Sequence, residues 1–304
     1  MIRSFDEILK VAKEKGPKTI AVAVAQDFEV LSAVSAAKKL GIADAILVGD
    51  LDEINKVAES NNFDLSVFQV LDVKDKAEAS RKAVELVSTG KAHIVMKGLV
   101  DTSVVLKAVL DENIGLRTGN VLSHVAVFDV PCYDRLFYVT DAAMNIAPNL
   151  EQKKQIIENA VTVANALGNS NPKVGIVTAV EKVNPKMQAT LDAAELVKMN
   201  EEGKLAGCVV GGPFALDNAV SEEAAKHKGV THPVAGHADI LMVPNIESGN
   251  VLYKSMVFFA QAKNAGIIVG AKAPVVLTSR ADSDEAKLNS IAIGVLMAGA
   301  KTND

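Results

Sequence analysis

Residues 267 to 298, IIVGAKAPVVLTSRADSDEAKLNSIAIGVLMA, place a buried strand, a polar turn and a helix in immediate succession. Val275-Val276-Leu277 is a short apolar run of the kind that forms a buried strand, and from Ser283 to Met297 the apolar residues Ala286, Leu288, Ile291, Ile293 and Val295 recur at helical spacing. Thr278-Ser279-Arg280-Ala281-Asp282 lies between them. A polar cluster at the carboxyl end of a buried strand, just before a helix, is where open α/β sheets place ligands, and the helix start adds free N–H groups and the positive end of a dipole. Ser283 is the candidate N-cap, with Asp284 and Glu285 favourable in the first turn. A plain structural turn with a solvated Arg280 is the competing reading, and the neighbouring turns weigh against it.

Outward from this stretch, strands and helices alternate. KTIAVAVA (18–25), DAILVGD (44–50), a short strand at 68–71 and AHIVMKG (92–98) read as strands separated by helices at about 29–40, 51–60 and 75–89. That alternation implies right-handed βαβ units and a largely parallel sheet. SHVAVFD and RLFYVT, joined through Val130-Pro131-Cys132-Tyr133, read instead as an antiparallel pair. The alternation then resumes with helices at 150–168, 188–200, 219–227 and 249–263 and the strands KVGIVTAV, GCVVGGP, ADILMVP and GIIVG. The expected fold class is α/β, with mostly parallel sheets flanked by helices. Two lobes are expected: a discontinuous one from 1–120 plus 269–304, and a second from 121–268. Polar and glycine-rich turns at several strand ends of both lobes describe a ligand cleft between them.

Composition limits the function. The chain has 304 residues with 49% hydrophobic and 23% charged, as in soluble globular proteins, so disorder is not expected. A net charge of −5 argues against nucleic-acid or acidic-membrane binding, so any anion site must be local. Cys132 and Cys208, the two cysteines, exclude a disulfide framework and a cysteine zinc site. Ile2, Phe5, Ile8, Leu9 and Ala12 predict an amphipathic N-terminal helix, with Asp6, Glu7 and Glu14 breaking any export-signal core. IAIGVLMAGA is too short for a bilayer span. A cytoplasmic location is expected. No metal-ligand spacing occurs, and no G-x-G-x-x-G follows the first strand; neither a metal nor a tightly bound cofactor is expected.

Other turns repeat the strand, polar turn, helix-start pattern. Met96-Lys97-Gly98-Leu99-Val100-Asp101-Thr102-Ser103 offers Lys97 to an anion, Gly98 as the turn, and Thr102 or Ser103 as a cap. Lys107 follows about one helical turn later, and Arg117 lies in a polar loop near the lobe junction. In the second lobe Gly211-Gly212-Pro213 follows the strand CVV, where Gly212 permits close backbone approach and Pro213 sets the exit direction. Pro244-Asn245-Ile246-Glu247-Ser248-Gly249-Asn250 follows DILMV, with Ser248 or Asn250 available to start a helix. His124, in an apolar strand, reads as a core residue rather than a ligand.

Taken together, SHVAVF at 123, GGPFALDNAVSEEAAKHKGV at 211, VAGHADILMVPNIESGNVLYKS at 234 and APVVLTSRADS at 273 resemble the phosphate acetyltransferase and phosphate butyryltransferase family. VAVAQD, LGIADAILVGD, MKGLV and GLRTG extend the resemblance over nearly the whole chain, nearest to its butyryltransferase members. The resemblance implies the two-lobed fold of isocitrate and isopropylmalate dehydrogenases and the reaction acyl-CoA + phosphate ⇌ acyl phosphate + CoA, with a CoA thioester as substrate. It also implies a homodimer or higher homo-oligomer. The family's serine and arginine fall on Ser279 and Arg280, and for the aspartate that soon follows them Asp282, Asp284 and Glu285 are all within reach, Asp282 being the candidate taken. An arginine of the relatives' first-lobe helix is Lys107 here, and an ammonium cannot make the planar bidentate contact of a guanidinium; Arg117 is the compensating candidate. Lys97, Gly98, Thr102, Lys107 and Arg117, with Gly212, Pro213, Asn245 and Asn250, form the expected phosphate and CoA contacts. An acetyl-CoA preference, a metal-dependent decarboxylating dehydrogenase on the same fold and a non-catalytic CoA or phosphate-binding module are the alternatives.

Overall fold

The structure is a computed structural model, and it describes residues 1–131, 133–278 and 282–300. The chain divides into two compact units, one of residues 5–120 with 265–304 and the other of residues 1–4 with 121–264. The expected amphipathic helix is α1 (Phe5–Glu14), burying Phe5, Ile8 and Ala12. Ile2 does not join it, because its N–H bonds Leu167 O in the other unit's own fold at 3.1 Å.

From α1 onward the first unit follows the βα alternation. β1 (Lys18–Ala23), α2 (Phe28–Lys39), β2 (Ala43–Gly49), α3 (Leu51–Asn61), β3 (Gln69–Asp72), α4 (Lys76–Ser88), β4 (Ile94–Lys97) and α5 (Thr102–Val109) come in order. Aspartates set three of these helix starts: the carboxylates of Asp27, Asp50 and Asp75 accept backbone N–H groups of α2, α3 and α4. The chain returns to this unit with β10 (Lys263–Val269), β11 (Val275–Val276) and α11 (Asp284–Ala300). Strand order is β3-β2-β1-β4-β11-β10, parallel except that β10 runs antiparallel to β11, Ile267 facing Val276.

The second unit opens with the expected antiparallel pair, β5 (Ser123–Asp129) and β6 (Phe137–Thr140), with Val127 opposite Tyr138. It continues through α6 (Leu150–Ala166), β7 (Lys173–Val177), α7 (Gln188–Glu201), β8 (Val209–Phe214), α8 (Leu216–Val220), α9 (Glu222–His227), β9 (Ile240–Met242) and α10 (Ile246–Phe258). The strand order is β5-β6-β9-β7-β8, parallel beyond β6. Two helices differ from the sequence reading. The helix expected at 219–227 is broken because Ser221, extended at φ −124°, caps α9 by accepting Ala224 N at 3.2 Å. The helix expected at 249–263 starts at Ile246 because Asn245, rather than Ser248 or Asn250, caps it, accepting Ser248 N at 3.0 Å.

α11 is the helix of the opening stretch, and Ser283 caps it as expected, accepting Ala286 N at 3.1 Å. It packs against α1 and α2 as well as against β4 and β11. Ile291, Ile293, Val295 and Leu296 are all fully buried, so apolar residues occupy the whole circumference rather than one stripe. Gly294 fits where a Cβ would come 3.3 Å from Val276 and 3.4 Å from Ile94. Ile293→Ala leaves a cavity in this enclosed helix and is expected to lower the unfolding free energy by about 2–5 kcal/mol, measured by urea denaturation.

Candidate active site

The first unit gathers three strand ends on one sheet edge. β1, β4 and β11 are parallel neighbours, with Ala23 beside Lys97 and Met96 beside Val276, so their carboxyl ends emerge together. At the end of β1 the chain turns through Val24 at φ +63°, a left-handed conformation that costs a β-branched residue roughly 1–2 kcal/mol. That turn directs the next amide one way and the carbonyl the other. Ala25 N reaches Val48 O at 3.1 Å on the β2 side, and Val24 O accepts Leu99 N at 2.8 Å on the β4 side. Gly98 N also bonds Ala23 O at 2.8 Å. A Cβ on Gly98 would strike the Val24 carbonyl oxygen, so this turn requires glycine.

Lys97, the last residue of β4, is buried, and its Nζ donates to Gly98 O at 3.2 Å. Thr102 opens α5, but the N-cap is Asp101, so neither Thr102 nor Ser103 caps the helix. Lys107 lies in the last turn of α5, exposed. Arg117 sits in the following loop, 52% exposed and 3.5 Å from the Glu112 carboxylate. An exposed pair of this kind contributes at most about 1 kcal/mol, so Arg117 is weakly held. Ser279 and Arg280 lie outside the described residues, flanked by buried Thr278 and by Asp282, whose carbonyl accepts the Lys287 ammonium at 2.6 Å. Lys97, Gly98 and Asp282 thus belong to one sheet edge, whereas Lys107 and Arg117 stand further along the chain from it.

The remaining candidates belong to the other unit. Gly212 and Pro213 do not follow a strand but lie inside β8, at the edge of the sheet and beside a register shift between Gly175 and Val177. Gly212 has φ +151°, and a Cβ there would come 2.9 Å from Ile176 Cβ, so its freedom serves strand packing. Asn245 caps α10 and lines a pocket of about 630 Å³ with Pro148, Leu150, Lys153, Gln188 and Asp192. Asn250, exposed on α10, donates to Ala142 O at 3.4 Å. Gly212, Pro213 and Asn250 do not line that pocket. Its buried charges neutralise each other: Lys153 Nζ meets Asp192 Oδ2 at 2.6 Å, and Gln188 Nε2 donates to Asp192 Oδ1 at 2.8 Å. The tertiary pairing of Lys153 with Asp192, 39 positions apart, carries no local signal in the chain.

His124 is buried in β5, edge-on to Tyr253 with centroids 6.1 Å apart, as a core residue. Cys208 is buried, and burial pushes its thiol up to about 11, so it stays protonated near neutral pH. Cys132 lies outside the described residues. Among the described residues no group of three or more His, Cys, Asp or Glu could hold a metal ion, and no helix is long and apolar enough to cross a membrane. Gly98→Ala is expected to reduce activity at least about tenfold and to lower Tm in thermal denaturation, since the clash is with backbone that cannot swing aside. Ser103→Ala, on the exposed face of α5, serves as the control that changes neither.

The sequence matches the family described as Phosphate acetyl/butaryl transferase over residues 4–81 and 73–295. It is 57% identical over 301 residues to phosphate butyryltransferase of Clostridium acetobutylicum, covering 99% of this chain and all of that one. Its structure superposes on a branched-chain phosphotransacylase from Enterococcus faecalis V583 with a TM-score of 0.82 at 37% identity, over 92% of this chain and 99% of that one. A 4-hydroxythreonine-4-phosphate dehydrogenase from Klebsiella pneumoniae shares the fold alone, with a TM-score of 0.58 at 12% identity over 93% of this chain and 99% of that one. Matched along nearly its whole length in sequence and in fold, the chain belongs to the phosphate acetyl/butaryl transferase family.

Proposed function

We propose that the protein is a phosphate acyltransferase that converts a short-chain acyl-CoA and inorganic phosphate reversibly into acyl phosphate and CoA, with butyryl the preferred group. The observation that carries this reading is the end-to-end identity with a phosphate butyryltransferase. An acetyl-CoA preference is the second reading, because the family includes both acyl specificities. The acidic net charge and the free buried Cys208 support a cytoplasmic, reducing setting. A homo-oligomer is the assembly we infer from the family resemblance.

The chemistry needs no covalent relay. Phosphate near neutral pH is largely dianionic and nucleophilic, so the protein's task is to desolvate it and aim it at the thioester carbon. An oxygen of HPO₄²⁻ attacks that carbon, the carbonyl electrons move to oxygen, and the tetrahedral species collapses with cleavage of the C–S bond. The bond pair leaves on sulfur, and the proton of the attacking phosphate ends on the thiol. In this scheme Arg280 clamps phosphate bidentately, Ser279 donates to the oxyanion, and Asp282 handles the proton. Lys97, with the Gly98 turn and the α5 start at Thr102, neutralises phosphate charge. Lys107 and Arg117 complete the anion contacts. A protonated, buried Cys208 has no part as an acyl carrier.

The deciding experiment is phosphate-dependent release of free thiol from a panel of acetyl-, propionyl-, butyryl- and branched-chain acyl-CoAs. Butyryl-CoA is expected to have the highest kcat/KM, and initial-rate lines for varied phosphate and acyl-CoA should intersect. Binding of acyl-CoA without thiol release would leave a non-catalytic module, and parallel lines would remove the direct attack. Arg280→Ala is expected to raise the KM for phosphate and to lower kcat/KM for phosphate about a hundredfold, equivalent to about 2–3 kcal/mol, with the acyl-CoA KM changing far less. A change confined to the acyl-CoA KM would place Arg280 on the wrong substrate.

A further inference from the structure

α11 carries a buried ammonium that no carboxylate pairs among the described residues. Lys287 is 4% exposed, and its Nζ donates to the Asp282 carbonyl at 2.6 Å. Among the described residues no carboxylate pairs with it, and no other hydrogen-bond acceptor meets it. Three costs therefore converge on this side chain. A buried charge is expensive unless paired. Two of the three N–H donors of the ammonium lack a described acceptor. As the fourth residue of α11, Lys287 also stands at the positive end of the helix dipole, where a cation is unfavourable. Lys153, equally buried in the other unit, shows the ordinary solution, with Asp192 at 2.6 Å.

The position of Lys287 indicates what would offset these costs. The Asp282 carbonyl that it holds lies between β11 and α11, at the sheet edge where β4 ends in the buried Lys97. Two buried lysines thus serve one edge of one sheet. Asp284 does not neutralise Lys287: its Oδ2 accepts the Ser32 hydroxyl at 2.8 Å, and its Oδ1 accepts Glu285 N at 2.9 Å. We infer that Lys287 is a further positioning residue of the phosphate subsite, which holds the Asp282 carbonyl and supplies positive charge that an inorganic phosphate dianion completes. This rests on the acyl-transfer reading above.

The test uses the full chain with Lys287→Met, which keeps the length and apolar stem but removes the charge, and Lys287→Gln, which keeps a donor for the Asp282 carbonyl. Two readouts are taken: the rise in Tm caused by inorganic phosphate without acyl-CoA, and the separate KM values for phosphate and acyl-CoA. Wild type is expected to gain Tm with phosphate. Lys287→Met is expected to have an unchanged or higher Tm without phosphate, because an unpaired buried charge is gone. Its phosphate-induced rise should vanish and its phosphate KM rise about tenfold or more, with the acyl-CoA KM within about twofold. Should Lys287→Met not fold, Lys287→Gln carries the same expectations, and Lys287→Arg should restore most of the phosphate response. A wild-type phosphate response in a folded neutral variant overturns the inference. So does a loss of Tm with equal increases in both KM values, the result of a packing role, or the absence of a phosphate-induced rise in wild type. Absence of thiol release in wild type, with the phosphate response present there and lost in Lys287→Met, would overturn the acyl-transfer reading while leaving the phosphate subsite standing.

Discussion

The contact between the Val24 carbonyl and the Gly98 turn sets the geometry of the candidate site. A β-branched residue in a left-handed conformation is unfavourable by itself, and it persists because the surrounding bonds over-determine it. Ala25 is held to β2, Leu99 and Gly98 to β1, and Gly98 has no room for a side chain. The chain leaving β1 and the chain leaving β4 are thereby locked at a fixed separation. Strain stored at the carboxyl end of two central strands defines the floor on which the following residues sit.

Electrostatics then separates the two units. The pocket of about 630 Å³ in the second unit contains buried charge, but Lys153, Asp192 and Gln188 satisfy one another, so an incoming anion finds no uncompensated cation among them. The first unit reverses this. Lys287 is buried on its ligand edge, and among the described residues its ammonium meets the Asp282 carbonyl and no carboxylate. Burying an ammonium with no carboxylate beside it among the described residues is costly enough that an anion-binding role for Lys287 explains the arrangement better than a packing role.

Local signals in the chain were strong where a single residue type decides the outcome. Ser283 before α11 and the antiparallel β5–β6 pair were legible because capping and strand alternation act over a few residues. Helix starts were misplaced where several capping residues compete, as in Asn245-Ile246-Glu247-Ser248-Gly249-Asn250, since only the tertiary path of β9 selects Asn245. The twin glycines of β8 look like a ligand turn in sequence, yet their space is taken by Ile176 and His232, residues 35 and 21 positions from Gly211.

The sequence by itself determined the fold class, the family and the order of elements, because hydrophobic periodicity, caps and motif spacing are all encoded within a few turns of chain. It also marked the sheet-edge turn at Lys97-Gly98, since a lysine and glycine between strand and helix form a local pattern. Tertiary structure alone decided which charges are compensated. Lys153 and Lys287 are each a lysine in the first turn of a helix, and nothing near them in sequence distinguishes them. One is met by Asp192 from a neighbouring helix and the other, among the described residues, only by a backbone carbonyl, and that difference depends on which elements the fold packs together.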